Sequence, residues 1–218
     1  MEKPSICACI INKDIEAVAA VEPLVDFFEV RIDLIGEGWQ AVAERLNKPW
    51  IACNRIAAEG GKWQGSEARR KEELLKALQL GASIIDIELS APNLNNFVPL
   101  IKKKAKCLLS FHNPEKTPPP DELKKIIKSQ LAAGADICKL VTTATNTSDN
   151  LTVTKLTAEF PQANIIAFAM GPLGLTSRIL SPMVGGFLTY ASVKKGAESA
   201  PGQLTVNELY NLYNLVKQ

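Results

Sequence analysis

The sequence predicts an α/β protein, a closed (β/α)8 barrel in which residues 1–218 form one domain. Three observations lead there. Short apolar runs of strand length, rich in Ile, Val, Leu, Phe or Cys, recur eight times, at 5–11, 27–33, 49–55, 83–89, 106–112, 135–141, 163–170 and 186–192. A helix-like stretch separates each run from the next, and strands alternating with helices imply parallel βαβ units. The first strand, SICACII, leads into INKDIEA, which lacks the glycines that an open doubly wound sheet places in its phosphate-binding turn. Eight strands and eight helices with no further element close into a barrel.

The helical stretches carry their own signals. Residues 37–48 (EGWQAVAERLNK) place apolar side chains at helical spacing, and 66–81 (SEARRKEELLKALQLG) end in glycine, a common helix stop. Residues 118–134 begin with prolines and also end in glycine. Residues 205–218 open on Thr205 and Glu208, the spacing of a capping box. Shallower helical patterns cover 14–22, 94–105, 148–160 and 173–184.

Composition narrows the function classes. Apolar residues make up 46% of the 218, enough for a sizeable core. A formal net charge of +2 argues against a nucleic-acid or membrane surface. The run Lys102-Lys103-Lys104 falls in a helical pattern and reads as a solvated face. No apolar stretch reaches the ~18 residues of a membrane helix. The N-terminus, MEKPSICACI, lacks the pattern of a secretory leader, so the expected compartment is the cytoplasm. Five cysteines (Cys7, Cys9, Cys53, Cys107, Cys138) lie in strand-like runs, and their odd number points to reduced thiols. Cys7 and Cys9, with a single histidine in the whole chain, read as core-filling thiols and not as metal ligands.

Alternation along the strands sorts side chains into two faces. Phe28, Val30 and Ile32 share one face of FFEVRID, and Glu29 and Arg31 the other. Ile85, Ile87 and Leu89 oppose Asp86 and Glu88 in SIIDIEL, and Arg55 continues the face of Ile51 and Cys53. The all-apolar faces are expected under the helices. The polar faces turn inward towards the C-terminal mouth, where active sites of such barrels lie. Glu29, Arg31, Arg55, Asp86, Glu88, His112 and Lys139 should therefore converge there. Buried charge is costly, so a ring of it is better explained by chemistry than by packing. Lys139, in GADICKLV, shares its face with Ile137 and Val141. Desolvation there lowers an amine's pKa, and a neutral lysine attacks ketones to form a Schiff base. A lysine that snorkels to solvent is the plainer alternative. His112, the one histidine, ends the preceding strand and is placed to move protons beside the amine, whose pKa its charge would depress further.

These residues resemble type I 3-dehydroquinate dehydratase, the third-step enzyme of the shikimate pathway. The motifs EVRID, CNRIAAEGG, IDIEL, SFH, GADICKLV, MGPLGLTSR and ESAPGQLTVNEL follow in order over nearly the whole length. The resemblance implies that Lys139 forms an imine with the C3 ketone of 3-dehydroquinate and that His112 is proton donor and acceptor in a syn elimination giving 3-dehydroshikimate. It implies that Glu59 orients His112 and that Arg178 binds the substrate carboxylate, which suits a guanidinium fork. Glu29, Arg31 and Arg55 match residues that hold ring hydroxyls or brace the site. Ser199, Ala200 and Gln203 match a loop that closes over substrate, within a small-residue stretch (193–203) that reads as a lid. Met170 matches an apolar wall, and Phe168 stands where a second methionine is expected. Asp86 and Glu88 look structural, paired with Arg31. The resemblance also implies no metal or organic cofactor, a small-molecule substrate, no nucleic-acid or membrane partner, and a homodimer. Two rivals are a class I aldolase on the same fold and a non-catalytic barrel. The aldolase favours glycine-rich phosphate turns after the last strands, whereas Gly185-Gly186 precedes strand eight.

Overall fold

Each apolar run becomes one strand. The computed structural model describes residues 3–216, and its strands are β1 (Ile6–Ile10), β2 (Phe27–Arg31), β3 (Trp50–Cys53), β4 (Ile84–Glu88), β5 (Lys106–His112), β6 (Ile137–Thr143), β7 (Asn164–Met170) and β8 (Thr189–Ser192). They form one parallel sheet in the order β7-β6-β5-β4-β3-β2-β1-β8, in register such as Cys9↔Glu29, Cys53↔Asp86 and Ser110↔Lys139. The sheet curls into a nearly closed TIM barrel. Between β7 and β8 the Phe187 N–H donates to Ile165 oxygen at 2.8 Å, near the N-terminal end of the barrel.

The helices are α1 (Ile15–Val21), α2 (Ile32–Ile35), α3 (Gln40–Ala43), α4 (Glu67–Gln79), α5 (Leu94–Ile101), α6 (Pro120–Ala132), α7 (Asp149–Glu159), α8 (Leu175–Leu180) and α9 (Val206–Val216). Caps form where the sequence places them. Asp14 and Ser66 accept from the Ala17 and Arg69 N–H groups, and Thr205 and Glu208 satisfy each other's backbone N–H. The expected helix over 205–218 is present to Val216; its last two residues lie outside those described.

Departures from expectation are local. The helix expected over 37–48 shrinks to α3 because Gly36 and Gly38 both take positive φ (70° and 78°) just before it. After α3 the chain tightens, with Arg45 and Leu46 bonding three residues back, to Val42 and Ala43. β2 stops at Arg31, and α2 begins at Ile32. The helix expected over 173–184 divides into α8 and a 3-10 turn, Ser181–Val184, which carries Pro182. β8 starts at Thr189, because the Gly186 N–H folds back onto Ser181 oxygen.

Strand alternation produces two apolar regions, as expected. Phe28, Val30, Ile85, Ile87 and Leu109 point outward into a layer shared with Leu74, Val98, Ile101 and Leu209 of the helices. Inside the barrel, Cys7, Ile51, Ile84, Leu108, Ile137, Ile166 and Leu188 pack together, with Phe27 and Phe187 against them at 5.9 Å between rings. This apolar plug fills the lower barrel, so the charged side chains next along each strand emerge above it.

α8 stands in the seam between β7 and β8. Ser177 Oγ accepts the Ala169 N–H of β7 at 2.9 Å, and Thr189 Oγ1 of β8 donates to Arg178 oxygen at 2.8 Å. The helix thereby ties two strands that do not pair above Ile165, and it carries Arg178 at the mouth.

Candidate active site

Above the plug lies a cavity of about 280 Å³. Glu29, Arg31, Arg55, Glu59, His112, Lys139, Met170, Arg178, Ser199, Ala200 and Gln203 all line it, together with Cys9, Cys53, Phe168 and Tyr190. Of the seven charged side chains expected at the mouth, five line it. Asp86 and Glu88 do not; they are buried behind the wall and brace it.

Lys139 is 5% exposed. Its ammonium donates to Asp86 Oδ2 at 2.9 Å and Glu29 Oε1 at 3.2 Å, beneath the face of Tyr190, 4.2 Å from the ring centroid. Burial pulls the amine's pKa down, but Asp86 and then Glu29 outweigh it, and the net shift is upward. This corrects the expectation of a depressed pKa: the strand pattern shows the desolvating neighbours of Lys139 but not the two carboxylates that face it. Behind the strand, Gln130 of α6 donates to the backbone oxygens of Leu109 (3.0 Å) and Lys139 (2.9 Å), which pins this register.

Arg55 is the hub of the wall. Its Nη2 donates to Asp86 at 2.6 Å, and its Nη1 to Glu88 at 2.9 Å and Ser110 at 2.6 Å. Ser110 in turn donates to Asp86 at 2.7 Å. The expected pairing of Asp86 and Glu88 with Arg31 is thus replaced. Arg31 forms a fork on Asp33 (2.9 and 2.8 Å), two residues along its own chain, where the turn into α2 brings the carboxylate back.

Glu59 reaches the cavity from the loop after β3. Gly61 makes that loop tight: a Cβ there would lie 2.1 Å from Arg55 oxygen. The Glu59 carboxylate accepts both the backbone N–H of His112 (3.0 Å) and its Nδ1 (2.9 Å). With Glu59 ionised, Nδ1 carries the proton and Nε2 is left with a free lone pair. Burial raises Glu59 to about 7. Burial, then Arg55 and Lys139, push His112 well below its ordinary value.

Arg178 is buried and half-satisfied. Its guanidinium lies 4.5 Å from the Phe168 ring centroid, Nη2 makes a long 3.4 Å contact with Pro201 oxygen, and Nε has no partner. Burial lowers its pKa to about 10. A buried cation with a free donor is a ready anion site.

The 199–203 segment folds over this side. The Ser199 N–H and hydroxyl donate to Gln203 Oε1 (2.8 and 3.2 Å), and Gln203 Nε2 donates to Cys9 Sγ at 3.3 Å. Burial and Glu29 raise the Cys9 thiol to about 12, so it stays protonated and donates to Glu29 at 3.4 Å. Cys9, read from sequence as core filling, is a contact between β1, Glu29 and the 199–203 segment. Sequence reasoning also missed Tyr190 and Ser110, because an uncharged hydroxyl side chain in a strand carries no charge to mark it, although Ser110 alternates onto the face of His112.

Glu29, Cys53 and Asp86 bring three possible ligand atoms within 4.8 Å of one another. Those donors are already matched by cations, Lys139 on both carboxylates and Arg55 on Asp86 and Cys53. The set therefore fits an ammonium better than a metal ion.

The type I 3-dehydroquinase family model matches residues 6–218. The chain belongs to that family. It is 44% identical to the 3-dehydroquinate dehydratase of Dehalococcoides mccartyi strain BAV1 over 218 residues, 99% of this chain and 97% of that one. It is 34% identical to the enzyme of the same name from Methanosarcina mazei over 232 residues, 99% of this chain and 96% of that one. Among solved structures it resembles the type I 3-dehydroquinate dehydratase of Clostridium difficile, determined with covalently modified comenic acid. That likeness has a TM-score of 0.85 at 25% identity, covering 98% of this chain and 92% of that one. Family membership and the barrel expected from sequence therefore agree.

Proposed function

We propose that this type I 3-dehydroquinase dehydrates 3-dehydroquinate to 3-dehydroshikimate by syn elimination through an imine on Lys139, the third step towards chorismate. The observation that carries the reading is one buried amine, bonded to two carboxylates, in a cavity that also holds an oriented histidine and a buried guanidinium with a free donor.

Arg178 takes the substrate carboxylate as a charge-assisted pair, and Glu29, Arg31 and Arg55 position the ring hydroxyls. Met170 and Phe168 supply the apolar wall. Ser199, Ala200 and Gln203 close over the substrate and exclude water. The ammonium gives up a proton to the His112–Glu59 pair, and the neutral amine adds to the C3 carbonyl. The pair returns that proton to the carbinolamine hydroxyl, which leaves as water, so His112 is again a free base and the positive charge of the resulting iminium lies where the ammonium was. Asp86 and Glu29, which raise the amine's affinity for a proton, stabilise that cation for the same reason. The iminium draws electrons from C2. His112 Nε2 takes the C2 proton to give an enamine, then returns a proton to the departing C1 hydroxyl, and one water leaves. Hydrolysis of the conjugated iminium frees product and amine. Every step uses the chain's own side chains.

The decisive experiment is borohydride trapping with 3-dehydroquinate, read by intact mass and peptide mapping. The expected result is one reduced adduct at Lys139 in the parent, none in Lys139→Ala, and slow turnover with some adduct in His112→Ala. An unchanged mass in the parent, or normal turnover by Lys139→Ala, refutes the proposal. The same reading has the enzyme acting as a cytoplasmic homodimer, and light scattering after size exclusion tests the dimer.

A further inference from the structure

Arg70, on α4, lines no part of the cavity, yet it is 1% exposed. Its Nε and Nη2 form a fork on Glu67 (2.7 and 2.9 Å). Its Nη1 donates to Glu88 Oε2 at 2.6 Å and to Asn54 oxygen at 3.0 Å. Glu88 is fully buried, and its other oxygen accepts from Arg55 at 2.9 Å and the Ile56 N–H at 3.3 Å. One buried carboxylate is thus held by two guanidiniums, one in the barrel wall and one behind it.

The consequence runs inward. Arg55 divides its terminal nitrogens between Glu88 and Asp86. Asp86 Oδ2, which takes Arg55 at 2.6 Å, also takes the Lys139 ammonium at 2.9 Å. The more firmly Arg55 holds that oxygen, the weaker its grip on the amine. Glu88 competes with Asp86 for Arg55, and Arg70 satisfies part of Glu88's demand. Stripped of Arg70, Glu88 is a buried, half-paired anion that draws Arg55 towards itself.

We propose that Arg70 is a positioning residue for Lys139: paired with Glu88 behind the barrel wall, it keeps Arg55 committed to Asp86 and so lets the reacting amine be released. The inference rests on the imine chemistry proposed above. Several titratable groups face the amine: Cys7 of β1, Glu29 of β2, Cys53 of β3 with Arg55 beyond it, Asp86 of β4, His112 of β5 and Tyr190 of β8. Among the described residues, Asp86 bonds both the amine and Arg55, so the effect passes through it.

The test is the initial rate of borohydride-trapped adduct at Lys139 as a function of pH, with kcat and KM measured alongside. In Arg70→Met the acid limb is expected to move up by about one pH unit, with adduct rate and kcat at neutral pH down about tenfold and KM within about twofold. Arg70→Gln, which keeps a donor but no charge, carries the same expectation and serves if Arg70→Met does not fold. Arg70→Lys restores the limb while its melting temperature stays below the parent's, since the fork on Glu67 is lost. Glu88→Gln removes the competitor and moves the limb down. A parental limb in the folded neutral variant or in Glu88→Gln, with only thermal stability lowered, overturns the proposal. If the parent itself forms no adduct, the imine reading fails; if it does and the limb stays put, this inference alone fails.

Discussion

Lys139 illustrates how a residue's chemistry depends on what faces it. Its strand neighbours, Ile137 and Val141, argue for a neutral amine, while Asp86 and Glu29 reverse that result in the folded site. The reversal suits the imine chemistry proposed above, because the charge those carboxylates favour is the charge of the proposed intermediate. Glu59 and His112 make a second pair with a testable sign. Glu59 is raised by burial to about 7, so proton uptake on acidification favours the folded state between about pH 7 and its ordinary pKa near 4.5. His112 is lowered by burial, so protonation of the unfolded chain below about pH 6.5 disfavours the folded state. The two trends oppose each other in one window. In Glu59→Gln the histidine's trend stands alone. The variant's melting temperature, followed by circular dichroism, should therefore fall more steeply from pH 7 to pH 5 than the parent's, with an added stability loss of roughly 1 kcal/mol for each pH unit over which Glu59 would have taken up its proton. Parallel slopes would refute the assignment.

At the scale of elements, loops and short helices carry what the strands cannot. The 199–203 segment, proposed above to close over substrate, meets the turn after β7 by a close backbone approach. Gly202 has φ 76°, and a Cβ on it would lie 2.7 Å from Gly171 oxygen, while the Gly171 N–H donates to Pro201 oxygen. Gly202→Ala should strain this contact by about 1–3 kcal/mol, displacing the segment that holds Ser199 and Gln203. The expected result is a KM for dehydroquinate raised about tenfold, with a smaller change in melting temperature because the segment is peripheral to the barrel core. Steady-state kinetics check it, and an unchanged KM would mean the segment does not shape binding. α8 has a comparable duty in the seam: Ser177 satisfies the Ala169 N–H that β8 leaves unpaired.

For the molecule as a whole, the seam and the charged wall set the pattern of stability. β8 is paired by ladder only with β1, whereas β3, β4, β5 and β6 each have two strand partners. Amide hydrogen exchange should therefore open at α8 and β8 well before β4 and β5, and uniform protection around the barrel would contradict the seam. Burial favours a neutral Asp86, but Arg55 and then Lys139 outweigh it, so its pKa is lowered. Stability from Asp86 is present above its ordinary pKa and lost as pH falls below about 4. Lys139 is raised, so its contribution is complete below about pH 10.5 and lost only as pH rises further. The melting temperature should hold between about pH 5 and pH 9 and decline on either side; a steady slope through neutrality would count against this balance of charges.

Strand number, strand order of faces and the ring of polar residues above an apolar plug were legible in the chain, because a period of two is local and survives folding. The same locality exposed Lys139 and His112 as candidates, while Glu59 and Arg178 came from the motifs whose order resembles the family. What stayed hidden is pairing. Arg31 on Asp33, Arg55 between Asp86 and Glu88, and Cys9 between Glu29 and Gln203 are choices among oppositely charged or polar groups that all face one space. Arg70 left a faint sign, since it falls on the helical face of Leu74, Ala77 and Leu78. Its partner Glu88 lies 18 residues away, on a strand. Local periodicity, written into neighbouring residues, determined the barrel and the charged strand residues at its mouth, and the order of motifs that resembles the family added the loop and helix residues. Which charge answers which depends on distances between strands, and only the closed tertiary structure decided them.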